Sequence, residues 1–249
     1  GILAVTREQG YAGGTVIESG TVKISGGVSI GTSGETVDTR NIGKFYIGEQ
    51  TGAYTLSNTI QGKGTLVIDL GETSGTAKTM DFGSSAAAYG TGFEGTVEMV
   101  NTRYTINDST QAFLNTGTAA NLVTRAGSIG SLEGVSNPDV TLRGRRLDGT
   151  LTFDGGEMNW KLDGSNQAEA WIDAGKIAIG SSNATTFKVD MVANLEMTIL
   201  CDTLFGSSKR IVLAKSDAAI TGSTAWNNLV LTVGGNTYGS GATVRQGLQ

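Results

Sequence analysis

The chain of 249 residues contains no histidine, one proline and one cysteine. Without histidine it cannot build a Ser-His-Asp or Cys-His relay, an imidazole-ligated zinc site or a histidine pH switch, because each needs a ring that titrates near neutrality. The one cysteine, Cys201, cannot form an internal disulfide, and its place after an apolar strand indicates a buried, inert thiol. Packing and hydrogen bonds must therefore hold the chain together.

Long apolar runs are absent as well. No stretch of about 18 apolar residues predicts a membrane-spanning helix, and residues 1–5 are too short for a signal-peptide core. With 18 basic against 23 acidic residues the net charge is −5, which argues against nucleic acid as a partner, because phosphate binding draws on clustered positive charge. No motif predicts a metal or cofactor, and we expect the protein not to be an enzyme.

Glycine is the residue in excess, with 38 positions, roughly twice ordinary usage. Glycines lie at the ends of short segments in which apolar and polar residues alternate, which is the pattern of half-buried strands. In residues 21–25, Val22 and Ile24 point one way and Lys23 points the other. No segment predicts a capped helix of ten or more residues. Further copies of the alternation lie at residues 65–70, 95–99, 149–153, 158–162, 176–179, 187–191, 195–199 and 229–233.

Two all-β architectures fit these strands: a Greek-key sandwich or barrel, and a parallel β-helix whose short strands stack on the coils above and below. A sandwich tends to use proline in loops and edges, whereas a β-helix consumes glycine, asparagine and aspartate at tight corners. We favour an all-β parallel β-helix with three short strands per coil of about 22 residues and a few protruding loops. A start of glycine, threonine and an apolar residue recurs irregularly at Gly14, Gly20, Gly64, Gly95 and Gly149.

The densest positive cluster comprises Arg143, Arg145 and Arg146, in a predicted loop. Guanidinium groups bind sulfate and carboxylate in a bidentate manner, so the cluster is a candidate site for an acidic glycan. The alternative is a solvated corner in which the arginines pair with Asp139 and Asp148.

Outward positions of the predicted strands carry polar side chains that would stack into ladders on a flat face. Such ladders can pair with those of a second rod, which predicts self-association without a dedicated pocket. The predicted self-association face comprises Thr65, Thr96, Glu98, Thr150, Thr152, Asn159 and Lys161.

Four acidic residues recur near strand ends at spacings that could align them along the rod. Glycoside hydrolysis needs two carboxylates about 5 to 10 Å apart, but any acidic face meets that condition, and nothing indicates the burial that would raise one pKa. Catalysis is therefore the weaker interpretation of these residues, which are Asp148, Asp154, Asp163 and Asp173.

Aromatic residues divide between interior and surface in the predicted rod. Trp160 alternates in phase with Met158 and Leu162, so it is predicted to lie in the core. Most tyrosines are predicted to be exposed near turns without forming a platform for sugars. They are Tyr46, Tyr54, Tyr89, Tyr104 and Tyr238.

Three stretches, in this order and spacing, resemble the passenger regions of bacterial autotransporters, the type V secreted surface proteins, in their AIDA-like adhesin branch. They are IQGKGTLVIDL at residues 60–70, FEGTVEMVNT at residues 93–102 and LDGTLTFDGG at residues 147–156. The resemblance covers about residues 60–165. It implies a right-handed parallel β-helix displayed outside a Gram-negative cell and ordinarily followed by a translocator barrel in the outer membrane.

We expect residues 1–249 to form a single β-helix segment of a larger passenger, because the sequence includes neither a signal peptide nor a translocator barrel, and neither terminus carries a cap. The protease branch is set aside, since its Gly-Asp-Ser-Gly motif and histidine are missing.

The expected function is that of an adhesin, secreted or displayed on the cell surface, that supports biofilm formation and virulence. Its expected partners are another passenger of the same kind, a host extracellular-matrix protein or an acidic glycan, bound by many weak polar contacts summed along the rod. Contact with the membrane is expected only through the missing barrel. The alternatives are a β-helical polysaccharide lyase or tailspike-like hydrolase, and a structural spacer.

Overall fold

A computed structural model describes residues 1–73, 76–81, 89–106, 120–133, 146–162, 172–180, 183–191, 214–222, 229–233 and 236–238. Within these ranges the regular elements are strands, with no helix. In chain order they are β1 (Ile2–Val5), β2 (Thr15–Ile24), β3 (Thr36–Ile47), β4 (Tyr54–Thr55), β5 (Thr59–Gly62), β6 (Thr65–Asp69), β7 (Glu72–Thr73), β8 (Thr76–Asp81), β9 (Tyr89–Phe93), β10 (Thr96–Val100), β11 (Thr102–Ile106), β12 (Asn121–Arg125), β13 (Ile129–Glu133), β14 (Arg146–Asp154), β15 (Glu157–Leu162), β16 (Ile172–Ile179), β17 (Thr186–Met191), β18 (Ala214–Ser216), β19 (Leu229–Val233) and β20 (Asn236–Tyr238).

The strands form two long sheets. Sheet A follows the order β1-β2-β3-β6-β10-β12-β14-β16-β18, with β5 and β9 beside it, and sheet B follows β20-β19-β17-β15-β13-β11-β8-β4. Among the described strands, pairing is parallel except for β7 with β8 and β19 with β20. Parallel neighbours need a crossover connection, and from β3 onward each crossover between paired strands of sheet A runs through sheet B, so the chain winds into a β-solenoid. The predicted β-helix is confirmed.

Two successive coils in the described part of the chain each have three sides. The first half of β3 pairs with β5, through Thr36 and Thr59, whereas its second half pairs with β6, through Lys44 and Thr65. Strand β8 then forms the third side, in sheet B. The next three strands, β9, β10 and β11, repeat the same sequence of sides one coil further along.

Coil length varies while the register is kept. Residues paired in register on adjacent coils are 23 residues apart for Thr39 and Gly62 and 21 for Lys44 and Thr65. They are 29 residues apart for Arg125 and Asp154. The early coils therefore match the predicted length, and the later ones are longer because extra residues lie between their strands.

The core consists of inward side chains stacked in register, because alternate residues of a strand face opposite sides of the sheet. Trp160 is fully buried, as predicted, and its ring lies 5.9 Å from that of Phe187, which packs edge-to-face on Phe153 at 5.1 Å. One inward ladder of sheet A comprises Val22, Phe45, Leu66, Val97, Leu122, Leu151 and Ile177.

Glycines form a stacked corner just before the strands of sheet A. Thr96 N–H donates to the carbonyl of Gly64 at 3.0 Å, and Asn121 N–H donates to that of Gly95 at 2.8 Å. A Cβ on Gly64 would overlap the carbonyl oxygen of Gly43. Close approach of backbones therefore accounts for the glycines that precede these strands.

Buried hydroxyl groups satisfy the backbone at the opposite corner, after the strands of sheet A. The Thr102 hydroxyl donates to the Val100 carbonyl at 2.7 Å and accepts from the N–H of Leu70 at 3.1 Å. Further along, the Thr185 hydroxyl accepts from the N–H of Gly155 at 2.9 Å. Such bonds stabilise a corner at which buried backbone groups would otherwise lack partners.

The predicted exposure of the tyrosines is wrong for two of them. Tyr104 is fully buried and Tyr54 is buried as well, whereas Tyr46 is half-buried. Tyr104 follows the alternation of β11, which turns it toward the core together with Thr102. The side chains of Tyr89 and Tyr238 lie outside the described residues.

Candidate binding surface

The outward side chains of sheet A form two neighbouring rows that run along the axis of the solenoid. Adjacent strands of a sheet are about 4.8 Å apart, so side chains in register repeat at that interval. The threonine row comprises Thr21, Lys44, Thr65, Thr96, Asn121, Thr150 and Lys176. The second row lies two residues further along each strand and comprises Lys23, Tyr46, Val67, Glu98, Val123, Thr152 and Ala178.

Five of the seven residues of the predicted self-association face lie in these two rows. Thr65, Thr96 and Thr150 belong to the threonine row, and Glu98 and Thr152 belong to the second row. These five side chains share one face of the rod.

The other two residues lie on a different side of the rod. Asn159 and Lys161 belong to β15 in sheet B, and Lys161 is placed by its backbone alone. Asn159 donates to Glu157 Oε1 at 2.9 Å, and Glu157 also pairs with Lys188 at 2.5 Å. The predicted set is therefore divided between two faces.

The predicted arginine cluster is described only at its end. Arg143 and Arg145 lie outside the described residues. Arg146 begins β14 and is paired with Asp173 of β16 in the parallel register, so it is in a strand and not in the predicted loop. Its side chain lies outside the described residues, and so does Cys201.

A first polar network links four coils through the second row and its neighbours. The Tyr46 hydroxyl donates to Asp69 Oδ2, and Asn101 Nδ2 donates to Asp69 Oδ1 at 3.1 Å. Lys23 Nζ lies 4.8 Å from the centre of the Tyr46 ring, within the range of a cation–π contact. Burial, followed by the hydrogen bond to Asp69, raises the pKa of Tyr46. The network therefore binds its single carboxylate through two partner side chains, and Lys23 joins it through the Tyr46 ring.

A second network is built on Arg125, which contacts the coils on both sides. Arg125 Nη1 donates to Asp154 Oδ2 at 2.8 Å, and Nη2 lies 3.3 Å from Glu98 Oε1. The Asp154 side chain is only 15% exposed, and a Cβ on Gly180 would overlap its carboxylate. Asp154, one of the four predicted acids, is thus an ion-pair partner that links coils. Of the others, Asp163 and the side chains of Asp148 and Asp173 lie outside the described residues.

The threonine row differs from the second row in its hydrogen bonding. Asn121 Oδ1 accepts from the backbone N–H of Thr150 at 2.8 Å. In the part of the chain that the structure describes, the hydroxyls of Thr65 and Thr96 and the ammonium groups of Lys44 and Lys176 make no hydrogen bond or ion pair. The row therefore presents free hydrogen-bonding groups in a straight line.

A cleft of about 410 Å³ lies at the N-terminal end of the rod, beside β1. Leu3 and Val22, which line it, belong to the inward ladder of sheet A, yet Leu3 is 62% exposed. Tyr11 also lines the cleft, and its hydroxyl bonds to that of Thr15. The cleft is therefore the open end of the apolar core.

Comparisons with known proteins do not assign a family. No protein-family model, curated protein or solved structure matches the chain. The described residues contain no helix long and apolar enough to cross a membrane. The likeness of residues 60–165 to autotransporter passengers therefore stays a prediction from sequence.

Proposed function

We propose that the chain is a segment of an autotransporter-type passenger, displayed on the surface of a Gram-negative bacterium or secreted, that acts as an adhesin. The adhesive surface is the outward face of sheet A. Its partners are another passenger of the same kind, a host extracellular-matrix protein or an acidic glycan. Attachment to the membrane is through a translocator barrel outside these 249 residues.

One observation carries the proposal: the two rows on sheet A keep their register over seven strands. Six intervals of about 4.8 Å make a face about 29 Å long. The core ladder and the glycine corner beneath hold the strand backbones in place, so little backbone entropy is lost when the face binds a partner.

Many weak contacts along such a face add up when copies are displayed together, because each further contact forms at high effective concentration. A binding role is also supported by the pairing of two carboxylates on this face. Glu98 and Asp154 both pair with Arg125, so neither is a free acid in a cleft, as hydrolysis of a glycoside requires.

Beads coated with the purified chain test the proposal. We expect the beads to clump or to bind immobilised matrix proteins or acidic glycans. We expect a Thr65→Glu/Thr150→Glu variant, which places two carboxylates on the face, to change that binding at least fivefold. The matched control is Thr51→Glu/Ser57→Glu, because both of these residues are exposed in the loop that contains β4.

Beads that neither clump nor bind any of these partners contradict the adhesin proposal. An equal effect of the face variant and the loop variant contradicts the assignment of the function to sheet A. Thermal unfolding of both variants shows whether each is folded.

A further inference from the structure

The charges of the threonine row differ from those of the whole chain. The chain has more acidic than basic residues, yet the row contains Lys44 and Lys176 and no carboxylate. Lys23 adds a third ammonium group beside the row. The row is therefore a line of hydroxyl and amide groups with a positive charge near each end.

Neighbouring carboxylates do not neutralise these lysines. Asp69 lies four residues beyond Thr65 along β6, about 13 Å from the row, and Glu98 lies beside Arg125. Lys44 and Lys176 have no ion pair within the described ranges. Their electrostatic attraction is therefore available to a partner, and it is screened by salt because the groups face solvent.

We propose that the threonine row binds a linear acidic polysaccharide that lies along the axis of the solenoid. The proposal rests on the adhesive function proposed for this face. Threonine hydroxyls both donate and accept hydrogen bonds, as sugar hydroxyls do. A lysine ammonium is a point charge that takes carboxylate or sulfate without a fixed geometry, which suits a polymer that carries either group.

The same charges disfavour a second copy of the chain as the partner of this row. When two such rows face each other, lysines oppose lysines or hydroxyls, and no carboxylate of the row is there to pair with them. Like charges across an interface weaken association and select against that partner. Self-association through sheet A would therefore have to use the second row, which contains Glu98.

Binding of the purified chain to three polymers at low salt tests the proposal. Hyaluronan carries only carboxylates, dextran sulfate carries only sulfates, and dextran is neutral. We expect at least one of the two acidic polymers to bind and dextran not to bind. A preference for hyaluronan or for dextran sulfate identifies the anionic group. We expect the binding to weaken as salt is raised toward 1 M.

Two double variants show whether the row is responsible. Lys44→Gln/Lys176→Gln should lower the affinity about fivefold at low salt, as expected for two exposed charge pairs. The control Lys63→Gln/Lys188→Gln also removes two charges, but these lysines pair with Glu94 and Glu157 outside the row, and its affinity should be unchanged. Equal melting temperatures ensure that folded proteins are compared.

The proposal is overturned if dextran binds as well as the acidic polymers, if neither acidic polymer binds, or if both double variants lose affinity equally. Its failure is distinguishable from failure of the adhesive function. Beads that clump or bind matrix proteins through sheet A, without binding either acidic polymer, leave the adhesive function standing. Beads that do none of these contradict both proposals.

Discussion

Gly64 and Gly95 lie at equivalent positions on adjacent coils, so close that a Cβ on Gly95 would overlap the carbonyl oxygen of Gly64. That carbonyl accepts a hydrogen bond from Thr96, the first residue of β10. Gly64 has the same relationship to Gly43. The corners that start β6 and β10 therefore depend on the absence of a side chain, whereas Ala120 occupies this position before β12.

Gly64→Ala is expected to destabilise the protein by about 3 kcal/mol, the upper end of overpacking effects. The added Cβ would meet backbone carbonyls of Gly43 and Thr39, which cannot turn aside as a side chain would. Urea unfolding measures the loss. Gly52→Ala is the control, because no atom lies within 4 Å of its added Cβ. Equal stability of the two variants would contradict the packing of this corner.

Trp160→Ala is expected to lower the free energy of unfolding by about 3–5 kcal/mol, as for large aromatic truncations in a core. The indole is fully buried and packs on Phe187. In contrast, Ile42→Ala should change stability by no more than about 0.5 kcal/mol, because Ile42 is 75% exposed. Chemical denaturation of both variants checks the difference. A loss below 1 kcal/mol for Trp160→Ala would place the indole at the surface.

Tyr104→Phe is expected to leave stability unchanged or to raise it by about 1 kcal/mol, because a buried polar group without a partner is costly. The Tyr104 hydroxyl is buried with no hydrogen-bond partner among the described residues. A Cβ added to Gly130 would overlap the Tyr104 ring and hydroxyl, so glycine at this position leaves space for the Tyr104 side chain. Thermal unfolding at neutral pH measures the change. A loss of more than 1 kcal/mol would show that the hydroxyl has a partner.

The stability of the protein is expected to fall as the pH rises from about 10 to about 12. Burial raises the pKa of Tyr54 from 10.0 to about 12, and burial also raises the pKa of Tyr104. In this range the folded state keeps protons that the unfolded state has lost, so raising the pH favours unfolding. Tyr54→Phe should make the decline shallower, and Tyr11→Phe, at a partly exposed site, serves as control. The check is urea unfolding at pH 9, 10, 11 and 12.

Arg125→Met is expected to destabilise the protein by about 1 kcal/mol. It leaves the carboxylates of Glu98 and Asp154 without their shared cation. Urea unfolding at neutral pH measures the loss. Arg40→Met, which breaks exposed pairs with Glu18 and Asp38, should have a smaller effect. If the two variants lose the same stability, Arg125 does not link the coils.

Local alternation was sufficient to predict the interior of the strands. Leu66, Phe153 and Trp160 are all buried as that pattern requires, because a strand with one face in a core must repeat every two residues. The pattern fails at corners. Gly155 and Gly156, at φ of 107° and 76°, turn the chain from sheet A into sheet B, which is why two predicted face residues lie elsewhere.

Contacts between coils could not be predicted from the sequence. Arg125 meets Glu98 and Asp154 only because coils of unequal length are stacked in one register. A local pattern contains no information on which residue of the next coil lies alongside. For the same reason, the sequence did not predict that Lys44 and Lys176 belong to the threonine row.

The unequal coil lengths also bear on how the chain could be modified. Coils of 23 residues, from Thr21 to Lys44, and of 29 residues, from Leu122 to Leu151, keep their strands in the same register, so added residues between strands shift no ladder. Loop closure becomes costlier only slowly with length. A foreign peptide inserted between the strands of two successive coils would therefore be held at a fixed position along the axis of the solenoid. Inserted epitopes could thus be placed at defined distances from one another.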